Sequence, residues 1–467
     1  MNFDASPRIQ RLALASLYAG VFLPPLDYFI VNLALPAMRA GLHASQAQIQ
    51  LTVAAYALAY AVMLITGGRL GDLHGRKRVF LIGMAGFVVA SALCGLASSG
   101  ALLVVGRVAQ GASAALITPQ VLATIRSVFP MQAQVRLMGI YGFVFGLASV
   151  VGQIGGGALI DLHLWGLGWR AVFLVNVPIG VLAFAGSWRY VPESRGGERQ
   201  RIDVAGMLAL STGLLLLIVP LALGRELHWP AWTIWGLALS APAFAVFVGI
   251  ERHVQRIGRD PLVDLSVLRR PAVATGLALA FLFYSIAAFF LTYGIYLQDG
   301  LRWTPLQSGL GLAPYGAGYI LGPLATPWLA HRIGDAALPA GFGLLAAGFA
   351  ICATRLGPLG PDPSFYAGLL IAGVGQGIAL PSLQRQVLVS VDARHAGMVA
   401  GAVVATLYIG AACAATGIGG VFFSALAHGV GADAYTRAMR IGMQWMLVPL
   451  VTGFLVSSYP RREHAKC

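Results

Sequence analysis

Two ionisable side chains stand inside long apolar runs. Asp27 lies in the run 12–36 and Arg107 in the run 101–125, and no other carboxylate or base falls well inside such a stretch. At the centre of a membrane-spanning helix a charge costs roughly 2.5 to 3.5 kcal/mol on insertion scales. The acid must therefore bind a proton or find a cation. This chemistry suits a proton carrier; its structural alternative is a neutral acid tying one helix to another. Arg107 is about six residues, or ~9 Å, from the end of its run, and Asp27 is nine residues, or ~13 Å, from Pro36 at 1.5 Å per residue. Depths that match within about a turn allow a guanidinium to compete with a proton for the carboxylate, or a fixed pair that sets helix register.

Three further patterns carry chemistry or movement. The segment Gly68, Arg69, Leu70, Gly71, Asp72, Leu73, His74, Gly75, Arg76, Lys77 and Arg78 combines glycines for a tight turn with an acid and several bases. It reads as a conformational latch or as a basic anchor. Gly142, Gly146, Ser149, Gln153 and Gly156 repeat every three or four residues, a smooth helix face on which another helix can slide. Pro24 and Pro25, just before Asp27, leave helix carbonyls unpaired and predict a bend. Aromatic walls for a planar guest are available from Phe289, Tyr293 and Tyr296, and from Tyr315 and Tyr319. Candidate cavity residues are Asn32, Tyr56, Gln110, Phe289, Tyr293 and Gln376. Lipid contact or core packing is the alternative use for these rings.

The elements that must hold these residues follow from composition. Of 467 residues only 10% are charged and 58% are hydrophobic, against about 25% charged in soluble domains. A water-soluble fold is excluded, and an all-α integral membrane protein is predicted. Spans fall near 12–36, 49–68, 79–98, 101–125, 138–160, 171–188, 205–223, 232–250, 273–297, 308–330, 338–355, 365–384, 396–423 and 441–458, fourteen transmembrane helices in all. With the N-terminus inside, 23 of the 31 basic residues fall in inner loops and tails, 7 in outer loops, and Arg107 in a span. Both termini are then cytoplasmic. The net charge of +14 is topological, and no nucleic-acid partner is expected. Trp165, Trp169, Trp188, Trp229, Trp232 and Trp303 fall near span ends, where an interfacial belt is expected. Cys94, Cys352, Cys413 and Cys467 show neither disulfide nor metal spacing. No nucleophile set and no ATP-binding loop occurs, so an enzyme is not expected, nor any cofactor.

The chain echoes itself. Gly106-Arg107-Val108-Ala109-Gln110-Gly111 matches Ala372-Gly373-Val374-Gly375-Gln376-Gly377 in Val, Gln and Gly, and Leu70, Asp72 and Gly75 match Leu329, His331 and Gly334. Two pseudo-symmetric six-helix bundles are predicted, at 1–190 and 271–467, with two further helices and a basic linker at 191–270. Such parallel repeats are a transporter architecture. Because Arg107 and Asp72 have no counterpart in the second copy, proton chemistry belongs to the first.

Gly68 to Arg78 resembles the signature loop of the major facilitator superfamily, and 102–107 with Gln110 and Gly111 resembles its fourth-helix motif. The stretch 26–36, and Trp169-Arg170 followed by Phe173 to Gly180, look like its fourteen-helix drug:proton antiporter branch. The region of Gly146, Gly152, Gln153, Gly156 and Gly157 is similar to the antiporter motif, with Gln153 where the family has proline. Leu51 replaces a usual tryptophan. The resemblance implies proton-coupled export of small amphipathic compounds by alternating access in the inner cell membrane. Asp27 would be the protonation site, and Gly68, Asp72, Gly75 and Arg76 the latch. The partners would be a small-molecule substrate, protons and lipid. A monomer is expected, and the sequence specifies no periplasmic adaptor. The alternatives are a proton-coupled importer and, in another class, a channel, for which no polar stripe is found.

Overall fold

The computed structural model describes residues 6–162, 166–194, 203–224, 227–258, 261–357, 360–391, 396–427, 429 and 431–459. Trp165, Cys467, the basic segment 195–202 and the tail bearing Arg461, Arg462 and Lys466 lie outside these, as does the His331 side chain.

In lipid a backbone must satisfy its own polar groups, so each apolar run closes into a helix. In chain order these are α1 Pro7–Asn32, α2 Leu35–Leu42, α3 Gln46–His74, α4 Arg76–Gly95, α5 Gly100–Val128, α6 Met131–Asp161, α7 Ala171–Leu174 and α8 Asn176–Tyr190. Then come α9 Val204–Leu223, α10 Ala231–Arg256, α11 Leu265–Leu268, α12 Pro271–Phe283, α13 Ala287–Ile295, α14 Pro305–Gly311, α15 Ala313–Ile333, α16 Ala337–Arg355, α17 Pro363–Val389, α18 Ala396–Ala427 and α19 Ala432–Ser458. A two-residue antiparallel ladder, Leu356–Gly357 with Gly360–Pro361, turns α16 into α17.

Among the described residues twelve helical segments are long and apolar enough to cross a membrane, or thirteen if α3, bent by 47° between Leu64 and Thr66, counts as one span. The count of fourteen is therefore not reached on that criterion. The missing one is α15, which is 21 residues long but interrupts its apolar character with Pro314, Pro323, Pro327 and Arg332.

Packing follows the echo. α5 packs on α3 and α4 as α17 packs on α15 and α16. The hydrophobic clusters separate likewise. One core runs from Val267 to Leu450, and two others fall between Ala13 and Val191. Between them α9 and α10 pair with each other as a two-helix insert, with α9 resting on α3. Two expectations change. Trp169 is buried, stacked against the Arg170 guanidinium 4.4 Å away, so it belongs to the core and not to an interfacial belt. Glu251 is fully buried near the end of α10, so Asp27 is not the sole enclosed carboxylate; the helix runs past residue 250, where the hydropathy break had placed its end.

Candidate functional site

Asp27 and Arg107 form an ion pair with both side chains fully buried. Asp27 sits on α1, two residues beyond its proline pair, and Arg107 on α5. Arg107, Gln110 and Gly111 occupy one face of α5 by their three- and four-residue spacing. The glycine lets α3 come close, since a Cβ at Gly111 would stand 2.2 Å from the Tyr56 carbonyl oxygen. Arg107 Nη1 donates to Asp27 Oδ2 and, at 2.7 Å, to Gln110 Oε1, while Nε donates to the Thr52 carbonyl at 2.9 Å. Asp27 Oδ1 accepts from Gln110 Nε2 at 2.7 Å and from Asn176 Nδ2 at 2.8 Å. Gln110 Nε2 also reaches Ser91 Oγ at 2.8 Å. Five helices, α1, α3, α4, α5 and α8, thus converge on one carboxylate. Three donors suit an ionised acid, which only accepts. Oδ1 has both lone pairs engaged, so a proton binding there must displace a donor, whereas Oδ2 accepts from Arg107 alone and keeps one lone pair for a proton.

Tyr56 connects this network to a row of further tyrosines. Its ring lies 4.2 Å from the Arg107 guanidinium carbon, and its hydroxyl donates to the Pro24 carbonyl at 3.0 Å. Beyond it stand Tyr28 and Tyr60, each with a centroid 6.3 Å away. Tyr60 meets Tyr408 of α18 at 5.2 Å, and Tyr408 meets Tyr284 at 6.3 Å. Tyrosines of both bundles therefore face one another at mid-depth, with Tyr28, Tyr284 and Tyr408 only half-buried.

Sequence reasoning placed the aromatic wall elsewhere. Phe289 and Tyr293 are 2% and 0% exposed, stacked at 4.8 Å inside the second core beside Phe349 and Phe365. Gln376 accepts from the buried Tyr315 hydroxyl, and Gln110 belongs to the Asp27 network. Asn32, with Phe29, Gln153 and Phe290, lines a small cavity where the bundles meet. Tyr28, Tyr60, Tyr284 and Tyr408 went unnoticed, because an aromatic residue in an apolar helix carries no mark of which face it occupies. Asn176, Ser91 and Thr52 did carry one, as polar groups in apolar runs.

The glycine-rich helix α6 touches both bundles. On one face, Cβ atoms at Gly152 and Gly156 would meet Leu26 O at 2.8 Å and Ile30 O at 2.9 Å, in α1. On the other, a Cβ at Gly157 would stand 2.4 Å from the Pro305 carbonyl of α14, and one at Gly309 would stand 2.7 Å from the Gln153 carbonyl. Farther down, Gly146 is at ordinary contact distance from Tyr319, 3.7 Å, and Gly142 faces nothing within 4 Å. Leu306 N–H donates to Asp161 Oδ2 at 3.1 Å, and Gln298 Nε2 to Leu33 O at 3.4 Å, at the same tight end. These contacts join the bundles at the Asp161 end.

At the end bearing residues 68–78, Arg76 grips Asp72 at 3.0 Å and the Ala123 carbonyl of α5 at 3.1 Å. Glu193 accepts from Lys77 N–H at 3.0 Å, and Arg69 Nη2 donates to Pro261 O at 3.1 Å. Gly75 turns the chain with φ 103°, where a side chain is strained and a Cβ would also stand 2.7 Å from the Glu193 carboxyl. Gly68 has room, its nearest neighbour being Pro119 at 3.8 Å. Arg76 and Asp72 are thus bound within the first bundle, and Glu193 is a partner that the motif did not announce.

The profile of the Major Facilitator Superfamily matches residues 17–415. The chain is 36% identical over 433 residues to a probable actinorhodin transporter of Streptomyces coelicolor, covering 92% of this chain and 75% of that one. It is 33% identical over 407 residues to a cephamycin export protein of Amycolatopsis lactamdurans, covering 84% and 80%. Its fold resembles the crystal structure of the human organic anion transporter MFSD10, with a TM-score of 0.66 at 16% identity over 97% of this chain and 100% of that one. This multi-pass membrane protein belongs to the major facilitator superfamily.

Proposed function

We propose that the protein is a proton-coupled exporter of small amphipathic compounds that works by alternating access as a monomer in the inner cell membrane, with both termini and the 68–78 latch on the cytoplasmic side. The distribution of basic residues supports the orientation, and the name of the cephamycin export relative supports the direction. One chain supplies the facing tyrosines of both bundles, so a second copy is not required to complete the site.

The observation that carries this reading is the contact of the buried Asp27–Arg107 pair, through Tyr56, with the tyrosines that face one another between the bundles. In the conformation sealed at the Asp161 end, Asp27 is held by Arg107, Gln110 and Asn176. Opening that end brings water and a proton to the acid, which then releases a donor. Cargo stacking between Tyr28, Tyr60, Tyr284 and Tyr408 moves the ring that supports Arg107, and so competes with the proton through one guanidinium. The tyrosines favour planar, aromatic cargo with few charges. Inverted membrane vesicles with an imposed pH gradient test this: an exporter accumulates a planar dye and releases protons when dye is added. Dye accumulation only under the reversed gradient means import and overturns the reading.

A further inference from the structure

The insert formed by α9 and α10 holds a second pair of carboxyl groups that the Asp27 mechanism leaves unused. Glu251, near the end of α10, is fully buried. Its Oε2 accepts from the Val263 amide at 3.2 Å, while Oε1 has no partner. Asp203 caps α9: Oδ1 accepts from the Gly206 amide at 2.8 Å, and its buried Oδ2 likewise has no partner. The two orphaned oxygens point at each other across Gly206. They stand 2.6 Å and 2.5 Å from the site a Cβ there would occupy, hence no more than about 5 Å apart. Only a residue without a side chain leaves that space.

Two ionised carboxylates at this range repel, which favours a proton on the fully buried Glu251. The charged groups facing Glu251 are Asp203 from α9 and Arg69 from α3. Asp264, in the adjoining segment, turns its Oδ1 to Gln255, at 3.1 Å, and to Ser266. Around them Phe247, Leu262 and Val263 pack with Met207 and Met398 into a small apolar cluster. Arg69, on the latch loop, donates to Pro261 O, and Glu251 accepts from Val263 N–H. The segment 261–264 is therefore held from both sides, by the latch and by the acid pair.

We infer that Asp203 and Glu251 form a second proton-binding site, separate from Asp27, which keeps one proton between them and fastens the insert to the latch through residues 261–264. When that proton leaves, the two charges separate, Glu251 gives up the Val263 amide, and Pro261 no longer restrains Arg69. The insert then acts as a proton-sensitive brake on the latch, independent of cargo.

The test is infrared spectroscopy on the full-length protein in lipid nanodiscs, in an Asp27→Asn background that removes the other buried acid. The carbonyl stretch of a protonated carboxylic acid is expected, and it disappears in the Asp27→Asn/Glu251→Gln protein. Asp203→Asn, which keeps the cap of α9, changes the pH at which the same band titrates. An acid band that survives Glu251→Gln unchanged, or one whose titration Asp203→Asn does not move, overturns the inference. Neither readout requires transport, so its failure leaves the export reading standing, and loss of export leaves this site standing.

Discussion

At the scale of single residues, the Asp27 network makes charge and geometry inseparable. Removing one partner of a buried pair strands the other, at a cost of roughly 3 to 5 kcal/mol. Asp27→Asn is expected to abolish uphill dye transport, at least tenfold, while the protein still inserts and elutes as a single species. Asp27→Asn/Arg107→Gln should be no worse than either single variant, because both remove one coupled function; additive losses, measured by initial rates in vesicles, would separate the two roles. Tyr60→Ala and Tyr408→Ala take away stacking worth about 1 kcal/mol each, so the apparent KM for a planar dye should rise about fivefold with little change in maximal rate. Asp27 and Arg107 were legible in the sequence because charge inside an apolar run needs a reason. The facing tyrosines were not: Tyr293 and Tyr408 look alike in sequence, yet one is sealed in a core and the other faces its counterpart across the bundles.

At the scale of elements, α6 shows how one helix serves two neighbours. Gly152 and Gly156 admit α1, whereas Gly157 admits α14 of the opposite bundle. Gly157→Val pushes a methyl into a backbone carbonyl, which a rigid neighbour resists by about 1 to 3 kcal/mol. It should favour the conformation opened at the Asp161 end, seen as faster labelling of a cysteine placed at Gln153. Gly142→Val, facing nothing within 4 Å, should leave labelling unchanged. The spacing of small residues announced a sliding face but could not say that it splits between two partners, since both contacts need the same residue types. Span positions were likewise readable from apolar runs. The end of α10 was not, because an acid buried by a neighbouring segment breaks the hydropathy pattern without breaking the helix.

At the scale of the whole molecule, the seal at the Asp161 end defines one state of a rocking pair. Cysteines at Asp161 and Leu306, which meet across the seam at 3.1 Å, should cross-link under oxidation and stop dye transport, which reduction restores; cross-linked protein that still pumps would exclude rocking at this seam. The repeat that the sequence disclosed as a few matched letters becomes matched helix pairings, but the halves differ in kind. In the first bundle the contact of α3 with α5 encloses a charged network. In the second, Gly373 replaces the arginine, and close approaches like that at Gly111 recur with no charged network among them: a Cβ at Gly373 would stand 2.0 Å from Tyr315 O, one at Gly318 2.2 Å from Leu370 O, and one at Gly348 2.4 Å from Ala372 N. Such packing leaves no slack for internal adjustment. The second half should therefore tilt as one stiff lever, while the first flexes to register acid and cargo. Amide deuterium uptake followed by mass spectrometry would display the division, with α1, α3 and α8 gaining label between acidic and neutral buffers and α15 to α17 staying dark throughout.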